Sequence, residues 1–497
     1  MERRAFLRAL GTSGVALGLG GGLAACSGDG DDGRGGGGSG GGDAARPRAA
    51  ASVKPYDPDV PFWEQGNYAS VEETDITDLE VTGSIPPDLT GLYARVGSNP
   101  PTGKAAFWFL GDGMVHGLRI DRGKAQWYRS RYVQTTPHKD GKELSDYTAP
   151  GHDVNQSNVA MVHHAGRFLS MGEVGWPYEL SPADLSTVGA YDFDGKLATW
   201  MTAHPKIDPA TGRMHFFGYW FADPMLTYHV AEPDGRLVHS EPVDVPAATM
   251  IHDFAVTDRD VVFWQAPVMF ELEPELLATG FPFVWDDNGP SRVGVMPLGG
   301  PASEIRWVEV EPFMAFHGFN AHRDGDEVVV QVHKQTSAFG PEGYLLPSYL
   351  SEWRIDTSGP QLTVKESQLS DVYQDMPMID RRLVGRPVRH GWCTTVDGKG
   401  PWGFEFAGLN HVDLQSGRDD RWEPGEMERA GEPFYIPAGA DAAEGEGWVM
   451  SWLYDRTTDT SSLGVFDAGD IAAGPTARVK LPVRVPYGFH GLWIPDA

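Results

Sequence analysis

The chain contains 497 residues and carries a formal net charge of −29 at pH 7. So acidic a chain is a poor partner for nucleic acid, because a phosphate backbone selects a basic surface. Its 62 glycines and 38 prolines indicate many turns, and its 23 phenylalanines, 16 tyrosines and 16 tryptophans are enough to line a large apolar cavity. A chain of this length can form one domain if the fold is all-β.

The first 25 residues have the order of a secretory signal, with a charged start, an apolar stretch and a small-residue cleavage site. Arg3 and Arg4 form a twin-arginine pair, and the sequence LAAC, which ends at Cys26, resembles a bacterial lipobox. We therefore expect a twin-arginine lipoprotein signal peptide at residues 1–25, lipidation of Cys26, and an exported, membrane-anchored protein. The alternative is an uncleaved N-terminal tail. Residues 26–52 are rich in glycine, which predicts a flexible tether.

From residue 53 to the C-terminus, short alternating apolar runs recur between turn residues, which predicts strands throughout. Clear examples are residues 259–264, 327–332 and 447–452, whereas residues 180–185 and 274–279 suggest short helices. So many short strands in one large chain favour an all-β propeller, whose blades are four-stranded sheets. If Cys26 carries lipid, no intramolecular disulfide can form, and Cys393 is predicted to be a core residue.

Four histidines in distinctive contexts are the strongest functional signal: His204 in AHPKID, His252 in IHDF, His317 in FHGFN and His490 in GFHG. Neutral imidazoles suit Fe, Cu, Zn and Ni. The four positions are separated by 48, 65 and 173 residues, so only a closed, repeated fold would direct them to one centre. In a seven-bladed propeller these steps correspond to about one, one and three blades, with each histidine on an innermost strand.

Several motifs resemble those of the carotenoid cleavage oxygenases, a family that also includes lignostilbene dioxygenases and retinoid isomerases. The four histidine motifs carry the resemblance, together with GLYARVGSNP at residues 91–100 and FLGDGMVH at residues 109–116. It extends from about residue 78 to the C-terminus. The resemblance implies a seven-bladed β-propeller at residues 53–497, with an axial iron site and a capping region of loops and short helices.

The resemblance further implies one Fe(II) per chain, with the four histidines as its ligands. The implied reaction uses dioxygen to cleave one C=C bond of a hydrophobic polyene or aryl-alkene into two carbonyl products, and needs no catalytic residue beyond the metal ligands. His116, His163, His164, His322 and His333 lie outside the ligand motifs and are expected to be structural or surface residues.

Metal-bound histidines commonly donate their second N–H group to a carboxylate or carbonyl. The family uses three glutamates for this purpose, and by resemblance the first is Glu173 and the third is Glu432. The second lies in a Glu-Phe-Pro motif, where this chain has Asp375 followed by Met and Pro. Because aspartate is one methylene shorter, we expect its hydrogen bond to be remade or bridged by water.

Substrate choice depends on finer features. Lignostilbene-cleaving members carry a lysine directly before the first glutamate, to engage a phenol, and here that position is Gly172. Tyr132 is a candidate match to the tyrosine that acts with this lysine, with a core role as the alternative. The missing lysine favours a carotenoid or apocarotenoid, and the apolar residues 277–285 are a candidate loop at the cavity mouth, with a buried connection as the alternative. Three other functions remain open: cleavage of stilbenes or phenylpropenes, isomerisation at the same iron site, and a non-catalytic surface propeller that binds a partner.

Overall fold

The computed structural model describes residues 56–147, 151–271, 273, 276, 281–340, 343–398 and 404–496. The predicted signal peptide, Cys26 and the tether lie outside these residues, as does most of the helix predicted at 274–279. Within the described ranges, none of the helices has the length and hydrophobicity of a membrane-spanning segment.

Seven antiparallel sheets, numbered here as blades 1 to 7, form a β-propeller, as predicted. The strands of the first three blades are as follows: blade 1 contains β1 (Thr74–Ile76), β3 (Gly91–Ser98), β4 (Gly113–Asp121), β5 (Lys124–Tyr132) and β35 (Gly491–Pro495); blade 2 contains β6 (Ala160–His164), β7 (Arg167–Met171), β8 (Tyr178–Leu180) and β9 (Thr187–Ala190); blade 3 contains β10 (Lys206–Ile207), β11 (Met214–Tyr219), β12 (Leu226–Ala231) and β13 (Leu237–Pro242).

The other four blades continue in chain order, with one early strand added to the last. Blade 4 contains β14 (Phe254–Val256), β15 (Asp260–Gln265), β18 (Arg292–Pro297) and β19 (Arg306–Glu309); blade 5 contains β20 (Met314–Asp324), β21 (Glu327–Gln335), β24 (Tyr349–Asp356) and β25 (Thr363–Gln368); blade 6 contains β26 (Gln374–Ile379), β27 (His390–Val396), β28 (Phe406–Asp413) and β29 (Arg418–Trp422); blade 7 contains β2 (Glu80–Gly83), β30 (Glu428–Ala430), β31 (Phe434–Pro437), β32 (Gly447–Asp455), β33 (Thr460–Asp467) and β34 (Ala477–Lys480).

Elements outside the blades are short. Two small hairpins are formed by β16 (Val268–Phe270) with β17 (Phe283–Trp285) and by β22 (Ala338–Gly340) with β23 (Gly343–Leu345). Helix α1 spans Thr136–Asp140, and three-residue 3-10 helices in the described part of the chain cover Phe62–Glu64, Gly66–Tyr68, Trp108–Leu110, Leu144–Asp146, Ala302–Glu304, Arg381–Leu383 and Ile471–Ala473. Of these elements, the β16–β17 hairpin and the 3-10 helices Trp108–Leu110 and Leu144–Asp146 contribute wall residues to one cavity, which is where the structure places a cap over the ring.

Pairing between the two ends of the chain closes the ring. In blade 1, β3 pairs with β35, so that Leu92 lies opposite Ile494, and in blade 7, β2 pairs with β34, so that Val81 lies opposite Val479. The innermost strands contact their neighbours around the axis, for example β14 with β20, β20 with β26, and β35 with β6. Side chains at the inner ends of different blades are thereby brought within reach of one another.

Burial differs between the strands of one blade, as blade 3 shows. All six residues of β12 are buried, whereas β13, at the outer edge of the same blade, alternates strictly between half-buried and exposed residues. A strand covered on both faces reads as a continuous apolar run, and a half-covered strand alternates. Neighbouring blades interdigitate large side chains, as where Trp264 of blade 4 meets Trp353 of blade 5 with ring centroids 6.4 Å apart.

The strands predicted at 259–264, 327–332 and 447–452 correspond to β15, β21 and β32, which confirms those predictions. The helix predicted at residues 180–185 is wrong. Leu180 ends β8, and the chain then turns back into β9, with the Leu185 N–H group donating to the Ser181 carbonyl. Leu185 itself has a φ of +65°, a left-handed conformation that a helix does not allow. Cys393 is buried, as predicted.

Buried histidines make the stability of the propeller sensitive to mild acid. Burial lowers the pKa of His215 and His333 to about 4 and that of His229 to about 3, because desolvation penalises the charged imidazolium. An unfolded chain has histidine pKa values of about 6.5. Between pH 6.5 and 4 the unfolded state therefore binds more protons than the folded state, and the free energy of unfolding falls as the pH falls.

We expect the free energy of unfolding to drop by on the order of 1–2 kcal/mol for each such histidine between pH 7 and pH 5. Urea unfolding followed by tryptophan fluorescence at the two pH values measures this change as a lower midpoint at pH 5. A midpoint that stays constant would show that these imidazoles titrate equally in the folded and unfolded states.

Candidate metal centre

The four motif histidines lie at the inner edges of four different blades. His204 and His252 each stand two residues before the innermost strand of their blade, β10 and β14 respectively. His317 lies within β20, and His490 directly precedes β35. The steps between them are one, one and three blades around the ring, as the residue spacing predicts.

The structure brings one ring nitrogen of each of these histidines within 4.8 Å of the other three. His204 Nε2 and His252 Nε2 are 3.0 Å apart, and His317 Nε2 is buried without a hydrogen-bond partner. Burial, followed by the neighbouring imidazoles, holds the pKa of His204 well below its usual range, and burial does the same for His317. The pKa of His252 is raised instead, because the lowering by burial is outweighed by the charge and the hydrogen bond of Glu173. Four imidazole nitrogens facing one point suit a divalent metal, which displaces any proton they carry, so this donor set fits a metal ion.

Three carboxylates hold the outer nitrogens of these rings, and each comes from a further blade. His252 Nδ1 is 3.0 Å from a carboxylate oxygen of Glu173, which follows β7 in blade 2. His490 Nδ1 is 2.7 Å from Glu432 Oε1, in blade 7. An N–H group at Nδ1 that donates to a carboxylate leaves Nε2 unprotonated and directed inward. His204 has no such carboxylate partner among the described residues. This agrees with the expectation that only three carboxylates support the four histidines.

Asp375 reaches its histidine directly. His317 Nδ1 lies 2.8 Å from Asp375 Oδ1. The sequence predicted either a remade direct contact or a bridging water for the shorter aspartate side chain, and the structure shows the direct contact. The reason is local backbone geometry: the pairing of β26 with β27 shifts register between Asp375 and Met378, and Met376 has a φ of +55°. This bulge re-aims the carboxylate, which Ser348 Oγ and the Met376 N–H group also contact.

A second layer of contacts, absent from the sequence analysis, ties the motifs together. The Tyr219 hydroxyl donates to Glu173 Oε1 at 2.7 Å. Asp253, directly after a motif histidine, accepts from Lys206 Nζ at 2.7 Å and from the Gly318 N–H group at 2.8 Å. Lys206 lies two residues after His204, and Gly318 lies directly after His317. This closeness to the motif histidines is the signal by which the sequence could have identified them. Three histidine segments are thus cross-linked through one buried carboxylate.

A cavity of about 620 Å³ opens beside the histidine cluster, with His252, His317 and His490 in its wall. Most of its lining is aromatic or aliphatic, including Phe109, Phe281, Phe283, Phe316, Phe406 and Phe489. Phe281 and Phe283 belong to the apolar segment predicted at the cavity mouth, of which residues 277–280 lie outside the described residues. Such a lining suits an extended apolar ligand.

A second cavity, of about 490 Å³, approaches the cluster with a more polar lining. His204 and Lys206 line it, together with Arg381 and Glu432. Because His317 and His490 line both cavities, the cluster lies between the two. The other histidines set aside in the sequence analysis do not join the cluster found in the described residues.

The candidate substrate contacts are not where the sequence placed them. Neither Tyr132 nor Gly172 lines the apolar cavity. Tyr132 accepts a 2.6 Å hydrogen bond from Asn99 Nδ2 and stacks on His138 with ring centroids 4.7 Å apart, which is a packing role. A Cβ atom at Gly172 would lie 2.3 Å from Asn155 Oδ1, so the position excludes a larger side chain unless its surroundings move.

Comparisons with known proteins agree with this geometry. Residues 68–495 match the family described as retinal pigment epithelial membrane protein. The chain is 33% identical to a carotenoid cleavage oxygenase of Mycobacterium tuberculosis, over 90% of this chain and 99% of that protein. It is 30% identical to an isoeugenol monooxygenase of Pseudomonas nitroreducens, over 85% of this chain and 95% of that protein.

Among solved structures, a lignostilbene dioxygenase of Pseudomonas brassicacearum matches with a TM-score of 0.80 and 31% sequence identity, and the match covers 88% of this chain and 100% of that one. The family match, the relatives and the shared propeller agree. The chain therefore belongs to the retinal pigment epithelial membrane protein family, which is the family of the carotenoid cleavage oxygenases.

Proposed function

We propose that this protein is a non-haem iron dioxygenase that cleaves a C=C bond of a carotenoid or apocarotenoid into two carbonyl products. The observation that carries the proposal is the convergence of four imidazoles on one point at the wall of an aromatic cavity. His204, His252, His317 and His490 would hold one Fe(II), which when bound supplies the activation of dioxygen for insertion across the double bond.

The protein's own contribution is positioning. Glu173, Asp375 and Glu432 fix the tautomer and orientation of three ligand rings through direct Nδ1 contacts. The aromatic wall excludes water and holds an extended alkene so that one double bond lies beside the cluster. No side chain needs to act as a general acid or base, because the proposed reaction moves no proton to or from the protein.

Cleavage of a stilbene or phenylpropene is the second candidate, and it is favoured by the similarity to an isoeugenol monooxygenase and a lignostilbene dioxygenase. The carotenoid proposal is supported by the glycine at position 172, where the lignostilbene-cleaving relatives carry a phenol-engaging lysine, and where a larger side chain would require Asn155 to move. A double-bond isomerase and a non-catalytic binding propeller are alternatives that no contact in the described residues favours.

A substrate panel tests the proposal. Iron-loaded protein without its first 26 residues is incubated in air with β-carotene, several apocarotenals, resveratrol and isoeugenol, and products are identified by mass spectrometry. Paired aldehydes or ketones from a polyene are expected. Aromatic aldehydes from resveratrol alone would replace the carotenoid proposal with the stilbene one. Absence of both iron and product would favour the binding propeller.

We also propose that the protein is exported and anchored to a membrane through lipidated Cys26. The proposal is supported by the twin-arginine pair and the LAAC sequence at the N-terminus. Replacement of Cys26 by serine is expected to move most of the full-length protein from the membrane fraction to the soluble fraction, because serine cannot form the thioether to the lipid. Fractionation with immunoblotting measures the shift, and an unchanged membrane fraction would contradict a lipid anchor.

A further inference from the structure

Gln335 is a polar residue in an apolar wall. It ends β21, is only 3% exposed, and lines the same cavity as Phe281, Phe316 and Phe406. Its side-chain amide forms no hydrogen bond with the described part of the chain, and its Oε1 atom is buried without a partner. A buried amide without a hydrogen-bond partner costs free energy, and a ligand that supplies the partner recovers it. The gain typically corresponds to a change of about tenfold or more in a binding constant.

The two other amide side chains of the cavity differ in this respect. Gln156 Nε2 donates to the Leu110 carbonyl, and Asn158 Nδ2 donates at 2.8 Å to the carbonyls of Phe109 and Gly111. Backbone groups thus hold those amides in place. Among the described residues, Gln335 is the cavity amide that remains available to a ligand, through its Nε2 group in the observed rotamer and through Oε1, which is covered there, after rotation of the amide.

The strand pairing places Gln335 at a defined distance from the cluster. Gln335 lies opposite Met314 on β20, three residues before His317 on the same strand. The pairing shifts register between Ala315 and Gly318, so His317 lies level with Val332 or His333. At about 3.3 Å per residue, the backbone positions of Gln335 and His317 are roughly 7–10 Å apart along the strands. A substrate group at this distance would belong to the same molecule as the reacting double bond.

We propose that Gln335 is a specificity-determining residue that binds an oxygen-bearing group of the substrate, namely a hydroxyl, phenol or carbonyl on the part of the molecule that extends from the cleaved double bond towards the end of β21. This inference rests on the proposed function and narrows its substrate class to oxygenated alkenes. An amide can both donate and accept, so it pairs with any of these groups, whereas a plain hydrocarbon would leave it unpaired. A site built in this way discriminates against the deoxygenated analogue.

Binding measurements under anaerobic conditions test the proposal, because no turnover occurs without dioxygen. Trp108 and Trp220 line the cavity, so quenching of tryptophan fluorescence reports ligand binding. The ligand pairs are para-hydroxystilbene with trans-stilbene, and a hydroxylated apocarotenoid with its unhydroxylated counterpart. The wild type is expected to bind the oxygenated member of at least one pair about tenfold more tightly, and Gln335→Met is expected to lose this preference.

Gln331→Met is the matched control. Gln331 lies on the same strand and is equally buried, but its Nε2 donates to Glu352 and it does not line the cavity. This variant should keep the wild-type preference. Gln335→Met should unfold at an unchanged or higher temperature, because the substitution removes a buried amide that has no protein partner, whereas a purely structural role would lower the unfolding temperature.

Equal binding of both members of each pair by the wild type, or a preference that survives in Gln335→Met, would overturn the proposal. Failure of the proposed function is a separate result, since binding does not require cleavage. If the preference depends on Gln335 but no cleavage products form in air, the dioxygenase proposal fails and the proposed role of Gln335 stands. If cleavage occurs but the preference is absent, the dioxygenase proposal stands and the proposed role of Gln335 fails.

Discussion

Replacement of His317 by alanine is expected to leave the purified protein without stoichiometric iron and without detectable alkene cleavage. His317 Nε2 is buried with no protein partner, so nothing in the described structure replaces it as a donor at the centre. Loss of residues that only orient metal ligands commonly costs about 10–100-fold in affinity or activity, and loss of a ligand should cost more. Iron content by atomic emission and product formation by mass spectrometry measure the two effects.

His163→Ala is the matched control for this variant. His163 is exposed, lines the second cavity near the cluster, and does not belong to the four-histidine group. We expect wild-type iron content and activity. If His317→Ala retained one iron per chain and full activity, the assignment of the metal centre to the four motif histidines would be wrong.

Substitutions of Asp375 are expected to weaken the centre in two grades. Asp375→Asn keeps an oxygen that can accept from His317 Nδ1, but it removes the negative charge that makes the imidazole more basic, so we expect about a tenfold loss of iron affinity. Asp375→Ala removes the acceptor as well and leaves a buried N–H group unpaired, so we expect about a 100-fold loss. Competition with a metal chelator measures both affinities.

The folding stability of Asp375→Asn separates orientation of the ligand from support of the fold. Burial raises the pKa of this carboxyl group, which means that its charge is costly in the folded state. Asn should therefore leave the unfolding temperature of the iron-free protein unchanged or raise it. Asp371, which is exposed four residues earlier, is the control position for Asn substitution. Equal iron affinity in Asp375→Asn, Asp375→Ala and the wild type would show that the contact with His317 does not support the centre.

Local patterns in the sequence were sufficient for the fold class and for the grouping of the histidines. Short runs of apolar residues between turn residues, such as 447–452, identify strands even where the strand is buried along most of its length. The steps between His204, His252 and His317 match single blades because each blade uses a similar length of chain. Glu173 and Glu432 were identified through motifs that place them beside characteristic neighbours.

Other features depended on which distant segments share a space. Tyr132 and Gly172 occupy suggestive positions in the sequence, yet they pack away from the cavity, and Leu185 lies in a turn rather than a helix. The direct contact of Asp375 with His317 depends on a β-bulge that the residue pattern does not predict.

The sequence by itself therefore determined the all-β architecture, the family and the chemical groups of the centre. Only the tertiary structure decided that Tyr219 supports Glu173, that Asp253 joins three histidine segments, and that Gln335 faces the cavity unpaired. The physical reason is that residue type and periodicity are local properties of the chain. Which side chains meet across a cavity is decided instead by strand registers and blade packing among residues hundreds of positions apart.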